Sequence, residues 1–484
     1  MGLIEDLVGD LSAKSVGVFV AASCTIYVVL YWLPFGIDFL YRGIRDNRRD
    51  LNMENWQSQF ARIGAYTAEA NVAGHPVILT AEPDNVKAIL STQFADYGKG
   101  EDFHADFRDF LGDSIFATDG DLWHSSRQLV RPQFIKDRVS DLHCFEHHTQ
   151  SLFRAIANGG PLNGGGQYVD LEAGDGRKVD VSDLFYRLAL DVSTDFLFGY
   201  SVDTLLRHMA HPRRTFWPGL RTIDSFVNQY IDRALALAPE ELASKTKSDK
   251  GYTFLHAAAG FTRDRKVLRD QIVALLLAGR DTTASTLSFA LYELSRRPDV
   301  VAKLRREILA TVGSRRCPTY RDLKNMPYLK AVVNETLRLY PVVPFNVRVA
   351  LRDTTLPRGG GPDGKSPVAV LKNTSVAYST LVMQRRPDIY PRLRLLCRPR
   401  PLQPRALGAL APPRPRQFAL TEMAYVICRM FQKFERVEGF TRPGPTGEVR
   451  LKTDLTLKPG DPIVVAFWEA KSSGEEADGS LNEK

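Results

Sequence analysis

One unbroken apolar run, residues 16–33, stands apart from a chain that otherwise alternates apolar and polar positions at mostly helical spacing. Only Ser23 and Thr25 interrupt it. As a helix rising about 1.5 Å per residue it spans roughly 27 Å, close to the ~30 Å interior of a bilayer. Tyr27, Tyr31 and Trp32 gather toward one end, where amphipathic rings favour an interface. Glu5, Asp6 and Asp10 precede the run against a single Lys14, whereas a cleaved signal peptide starts basic. Arg42, Arg45, Arg48 and Arg49 follow it, so the pattern predicts a single-span anchor with the bulk of the chain facing the cytosol. A buried core helix is the alternative for a run of this minimal length. The expected division is a lumenal leader (1–15), the anchor (16–33), a linker (34–60), a body (61–470) and a polar tail (471–484).

Within the body, apolar positions recur at helical spacing over 83–90, 121–134, 181–198 and 302–312. The longest such stretch, 265–297, is halted by Pro298. Short β-branched runs at 77–80, 347–356, 368–371 and 463–467 read as strands. Many helices beside few strands predict a mainly α body with a small β component, and 158–176 reads as a glycine-rich loop. The 484 residues fit about three average domains or one large helical enzyme, and 44% hydrophobic content suits a large buried core.

The formal charge of +8 is misleading as a sign of nucleic-acid binding. Residues 391–416 hold seven arginines and no acid, so the rest of the chain is nearly neutral and no basic binding face is expected. Five cysteines, none in a C-x-x-C pair, exclude a disulfide scaffold and the usual zinc ribbons and point to a reducing compartment. Gly359 to Ser366 matches G-x-x-x-x-G-K-[ST], but Pro367 and a strand-like run follow instead of a helix, so a loop joining two strands is expected rather than a phosphate cradle. His143, Cys144, Glu146, His147 and His148 resemble metal ligands at helical spacing, yet no H-E-x-x-H frame accompanies them; an exposed polar helix face is the expectation.

Three motifs carry chemistry. Trp123 and Arg127 lie one helical turn apart on one face, where the guanidinium could fork onto a carboxylate. Ala278-Gly279-Arg280-Asp281-Thr282-Thr283 sits inside the longest helix. Gly279 costs about 1 kcal/mol there relative to Ala, which a groove for a flat ligand would offset. The Thr282 hydroxyl can bond the Ala278 carbonyl, and an acid beside an alcohol can relay protons into an apolar site. Glu335 and Arg338 form an i, i+3 pair before a proline-rich exit through Pro341 and Pro344.

W-x-x-x-R, A-G-x-D-T-T and E-x-x-R in that order resemble the cytochrome P-450 haem-thiolate monooxygenases, and the anchor agrees with their microsomal type. The segments 111–116, 119–123 and 131–134 resemble the fungal alkane and fatty-acid terminal hydroxylases in particular. The resemblance runs from about Val77 to Tyr390 and resumes from Gln417 to near Glu438. It implies a cytochrome P-450-like fold, haem b, O2, an NADPH-dependent reductase, a small apolar substrate and an endoplasmic-reticulum membrane location. It also implies that Trp123, Arg127 and Arg348 meet haem propionates, that Gly279 lies along the cofactor, that Asp281 and Thr282 deliver protons to bound dioxygen, and that Glu335 and Arg338 support the proximal side.

The family's F-x-x-G-x-x-x-C-x-G ligand motif is missing. Its cysteine would fall at Pro413, and no phenylalanine occurs between Phe345 and Phe418. Cys397 lacks the flanking glycines and sits among Pro399, Pro401 and Pro404; Cys428 reads as a small apolar filler inside a helix. The segment expected to give E-x-x-R a third partner is missing as well. The proximal haem loop is therefore expected to be disrupted, haem binding impaired and catalysis lost. The alternative is a catalytically dead, membrane-tethered homologue that binds lipid or a partner. The abrupt change of composition at 391–416 suggests a shifted reading frame or misplaced splice junction, and residues 206–217, where helices should roof a substrate pocket, look compressed.

Overall fold

The computed structural model describes residues 60–72, 75–134, 142–161, 176–206, 216–244, 253–390, 415–444, 447–453 and 455–470. The anchor, most of the glycine-rich loop, most of the compressed stretch, the segment carrying Cys397 and Pro413, and the polar tail lie outside the described residues. In chain order the helices are α1 (Pro83–Lys87), α2 (Glu101–Leu111), α3 (Gly120–Val130), α4 (His143–Asn158), α5 (Val181–Phe198), α6 (Phe216–Ala236) and α7 (Pro239–Ser244). They continue with α8 (Phe254–Phe261), α9 (Arg265–Leu294), α10 (Pro298–Thr311), α11 (Tyr320–Lys324), α12 (Pro327–Leu339), α13 (Thr380–Met383) and α14 (Pro415–Lys433). The strands are β1 (Thr67–Val72), β2 (His75–Thr80), β3 (Tyr97–Gly98), β4 (Lys178–Asp180), β5 (Phe345–Ala350), β6 (Thr354–Gly360), β7 (Ser366–Val370), β8 (Ser375–Ser379), β9 (Phe434–Gly439), β10 (Leu451–Thr453), β11 (Leu457–Pro459) and β12 (Val464–Glu469). The fold is mainly α with a small β component.

The strands form a five-stranded sheet in the order β1-β2-β8-β5-β3, a three-stranded sheet β4-β12-β9, and the hairpins β6-β7 and β10-β11. In the large sheet β2 and β8 run parallel and the other pairs antiparallel. The 347–356 run, expected as one strand, is β5 and the start of β6 separated by a turn. Asp96 holds that turn, accepting from the Arg352 guanidinium and from Thr354 Oγ1 at 2.8 Å, a contact that β-branched spacing does not reveal. The helix expected at 83–90 loosens into a π-type turn at Ala88–Thr92, and α3 ends in a 3-10 turn at Arg131–Phe134, where Pro132 has no N–H to continue the ladder. Gly359 to Ser366 is the connection of the β6-β7 hairpin, so no helix N-terminus is available to cradle a phosphate.

Helix α9 is the axis of the body, with α5, α6, α12 and α14 packed around it. The Asp264 carboxylate caps its start by accepting from the amides of Lys266 and Val267. Every residue from Thr283 to Leu294 is buried, as is each residue from Asp270 to Leu275. Between them, the seven residues Leu276 to Thr282 are all half-exposed. Seven residues make nearly two turns, so accessibility there cannot belong to one outward stripe. The middle of the central helix is therefore open on more than one face.

Candidate functional site

That half-buried stretch carries the acid–alcohol pair. Thr282 Oγ1 donates to the Ala278 carbonyl at 2.7 Å, the local bond expected for a hydroxyl inside a helix. Asp281 is held by Arg280, Nη1 to Oδ1 3.0 Å, and the Arg280 guanidinium in turn lies 5.0 Å from the centroid of the Tyr186 ring. The Tyr186 hydroxyl bonds Ser285 Oγ at 2.9 Å, tying this polar patch to α5. Gly279 is explained differently from the expected ligand groove. A Cβ built on it would meet Ser193 Oγ at 2.6 Å, so the missing side chain admits helix α5 and not a flat ligand on that side.

A second group of residues is cationic. The Arg127 guanidinium stacks over the Trp123 ring at 5.0 Å, one turn along α3, and Phe94 packs on the same ring at 5.1 Å. Arg348, half-buried on β5, donates to Asn346 Oδ1 and to the Val347 carbonyl at 2.8 and 2.7 Å. Among the described residues no carboxylate pairs with Arg127 or Arg348, so both guanidinium charges could meet an anionic partner, although Arg348 Nη1 is already engaged by Asn346 and Val347. Lys99, which sequence reasoning missed, follows β3 and so lies beside β5. Its ammonium donates to the Thr118 carbonyl at 2.6 Å and pairs with Asp119 at 3.4 Å. Burial pushes Lys99 below its ordinary range; Asp119 opposes this and the nearby Arg348 adds to it. The clue in the sequence was the turn itself. Gly100 has φ +88, and a Cβ on Gly98 would strike the Asp119 carboxylate that accepts the amides of Lys99 and Gly100.

The E-x-x-R pair is intact. Arg338 forks onto Glu335 with two 2.7 Å bonds, and both residues are buried, Arg338 to 1% exposure. The guanidinium has further partners in the Gln384 carbonyl at 2.6 Å and the Tyr390 ring at 4.9 Å. These occupy it where the expected third motif is lacking.

A buried acid on α14 was also missed. Glu422 accepts from Thr283 Oγ1 at 3.3 Å, and its other oxygen, Oε1, has no partner among the described residues. Burial pushes this carboxyl up to about 8, against the Thr283 hydrogen bond. No local spacing marks the contact, since 139 residues separate the two.

The haem implied by the sequence motifs fits this site only in part. The cations suit propionates and Leu276 to Thr282 are only half-buried, but the thiol donors do not suit iron. Cys428 is fully buried on α14, and burial pushes its thiol up to about 12, so it stays protonated. Cys317 is exposed, and Cys144 lies on α4 beside His148 and Asp195. Cys397 and Pro413 are outside the described residues. Among the described residues, then, no cysteine pairs a thiolate with the half-buried stretch Leu276 to Thr282, and the residues present do not fit a haem-thiolate centre.

The His143 to His148 cluster is only partly the exposed polar face expected of it. His143 and His147 are exposed, but Glu146 turns to α14, accepting from Tyr425 at 2.5 Å and from Arg429 at 2.9 and 2.8 Å. Cys144 and His148 turn toward α5, and His148 is buried to 1% exposure. Helical spacing identifies which residues share a face; it does not say which face another helix covers.

The family model described as Cytochrome P450 matches residues 67–234 and 213–392, ending where the arginine- and proline-rich segment begins. The chain is similar to Cytochrome P450 monooxygenase pvhE of Talaromyces variabilis, with 49% identity over 480 residues covering 91% of this chain and 89% of that protein. It is 37% identical to Cytochrome P450 52A13 of Debaryomyces hansenii, covering 85% of each. Its fold is similar to that of the crystal structure of the cytochrome P450DA heme domain, with a TM-score of 0.67 at 20% identity over 86% of this chain and 92% of that one.

Proposed function

We propose, for a chain that belongs to the cytochrome P450 family, that its inherited reaction is hydroxylation of an aliphatic chain and that the chain as written does not carry it out. Membership makes it an oxidoreductase of the monooxygenase type and implies haem, O2 and an electron-donating reductase. The aliphatic reading is supported by an apolar cluster that begins about two turns before the acid–alcohol pair. Leu111, Ala117 and Ala274 are buried there, and the half-buried Phe107, Phe110 and Leu277 packed against them would offer an apolar chain contact. Asp281, steadied by Arg280, and Thr282, whose hydroxyl proton is engaged by Ala278, would hold a proton at the end of that cluster. Trp123, Arg127, Arg348 and Lys99 would face the propionates, and Glu335 with Arg338 would brace the opposite side.

The loss of activity rests on one observation: where the family supplies sulfur, this chain has Pro413. Proline offers iron no donor atom, and haem binding is impaired accordingly. A haem-free body that retains its E-x-x-R brace and apolar cluster supports a second reading, a non-catalytic lipid binder. By the same reasoning residues 16–33 tether the body to the endoplasmic-reticulum membrane, facing the cytosol. The test compares the chain as written with a chimaera in which residues 391–416 are replaced by the corresponding segment of a relative. The chimaera should bind haem, give the carbon-monoxide band of a thiolate-ligated haem and hydroxylate a fatty acid; the parent should do none of these. A thiolate-type band from the parent would refute the loss, and a haem-loaded chimaera inert toward aliphatic chains would refute the substrate class.

A further inference from the structure

We propose that Cys144, His148 and Asp195 form a binding site for a zinc-type divalent metal that clips α4 to α5, separate from the site described above. Cys144 and His148 are four residues apart on α4, so the thiol and the imidazole project from one face. Asp195, in the last turn of α5, meets them: His148 Nε2 lies 3.1 Å from Asp195 Oδ2, and all three donor atoms fall within 4.8 Å of one another.

Tetrahedral zinc with bonds of about 2.0–2.3 Å holds its donors roughly 3.3–3.8 Å apart. Closing the donors from within 4.8 Å to that spacing takes shifts of about an ångström. The donor types match as well. One thiolate, one neutral imidazole and one carboxylate cancel the charge of a dication, which matters in a half-buried site, while a sulfur and a nitrogen disfavour calcium and magnesium. The His148 side chain is 2% exposed, so packing against α5 fixes the ring. The Asp195 side chain is 32% exposed, which leaves an entry path and room for water as a fourth ligand.

Loading balances simply. The Cys144 S–H bond breaks, its proton leaves to solvent, and the sulfur lone pair bonds the metal; the His148 proton moves from Nε2 to Nδ1 as Nε2 becomes a ligand. The chain between α4 and α5 then becomes a loop closed by the metal. Binding therefore stabilises the folded state in proportion to the logarithm of metal concentration above the dissociation constant.

The test uses the purified full-length chain, stripped with chelator and titrated with cobalt(II), whose thiolate charge-transfer band reports a Co–S bond. One equivalent should raise that band, zinc should abolish it, and zinc should raise the unfolding temperature. C144S should lose both the band and the zinc-dependent shift; D195N and H148Q should lose the shift. Cys144 is only half-buried and a serine can keep the hydrogen bond to Asp195, so C144S tests the site even where H148Q fails to fold. Absence of the band from the parent chain, or a band that survives C144S, overturns the proposal, the latter by placing the sulfur at another cysteine.

Discussion

Replacing Glu422 by glutamine should make the protein more stable, and increasingly so as pH rises from 5 to 8. Glu422 is 2% exposed, accepts one 3.3 Å bond from Thr283 and leaves Oε1 without a partner among the described residues. Burial raises its folded-state value from 4.5 to about 8. The sign follows from the protons bound. A carboxyl raised in the folded state contributes stability that is fully present below the unfolded value and is lost as pH rises through the folded value. Between those limits the unfolded chain gives up the proton while the folded chain keeps it, which costs about 1.4 kcal/mol per pH unit. Across the whole window the loss is of order 5 kcal/mol, and near pH 7 about 3 kcal/mol, as upper values. Glutamine has nearly the same shape, can still accept from Thr283, and does not titrate. The assay is urea denaturation of the parent and E422Q in parallel from pH 5 to 9. A difference growing by roughly 1 kcal/mol per unit up to pH 8 supports the reasoning; a difference that stays level with pH refutes it.

Glu335→Gln leaves the Arg338 guanidinium buried without its counter-charge and should cost about 3–5 kcal/mol by denaturant titration. Gly279→Ala should destabilise by about 1–3 kcal/mol, because its Cβ meets Ser193 Oγ at 2.6 Å. Adding Ser193→Ala removes that oxygen, so the double variant should recover to near the parent, with the helix preference of alanine adding up to about 1 kcal/mol; additive losses in a double-mutant cycle would contradict the contact. Hydrogen bonds from Arg429, Tyr425 and Gln150, with the charge of Arg429, outweigh burial and hold Glu146 at about 2. Its contribution is present above the unfolded value near 4.5 and lost as pH falls toward 2, so E146Q should be less stable than the parent at pH 6 and converge with it in acid, by circular dichroism. Deleting residues 1–33 should release the chain from membranes under alkaline extraction, whereas the full chain should sediment with them.

Contacts between residues three or four apart are legible in the amino-acid order alone. Helix geometry places Thr282 on the Ala278 carbonyl, stacks Arg127 on Trp123 and forks Arg338 onto Glu335. The limits of α5 are equally local, with Asp180 capping its start and Gly199 at φ +70 closing its end. Composition locates the break at 391–416, because a missing donor type is a fact about residues and not about packing.

What folding alone decided are the meetings between distant segments. Ser193 faces Gly279, Lys99 lies between Asp119 and the strand of Arg348, Asp195 meets Cys144 and His148, and Glu422 reaches Thr283. No periodicity encodes these, because each depends on which helix faces packing covers. The same holds for their chemistry: the shift of a carboxyl such as Glu422 comes from the atoms that displace water around it, and those belong to other parts of the chain.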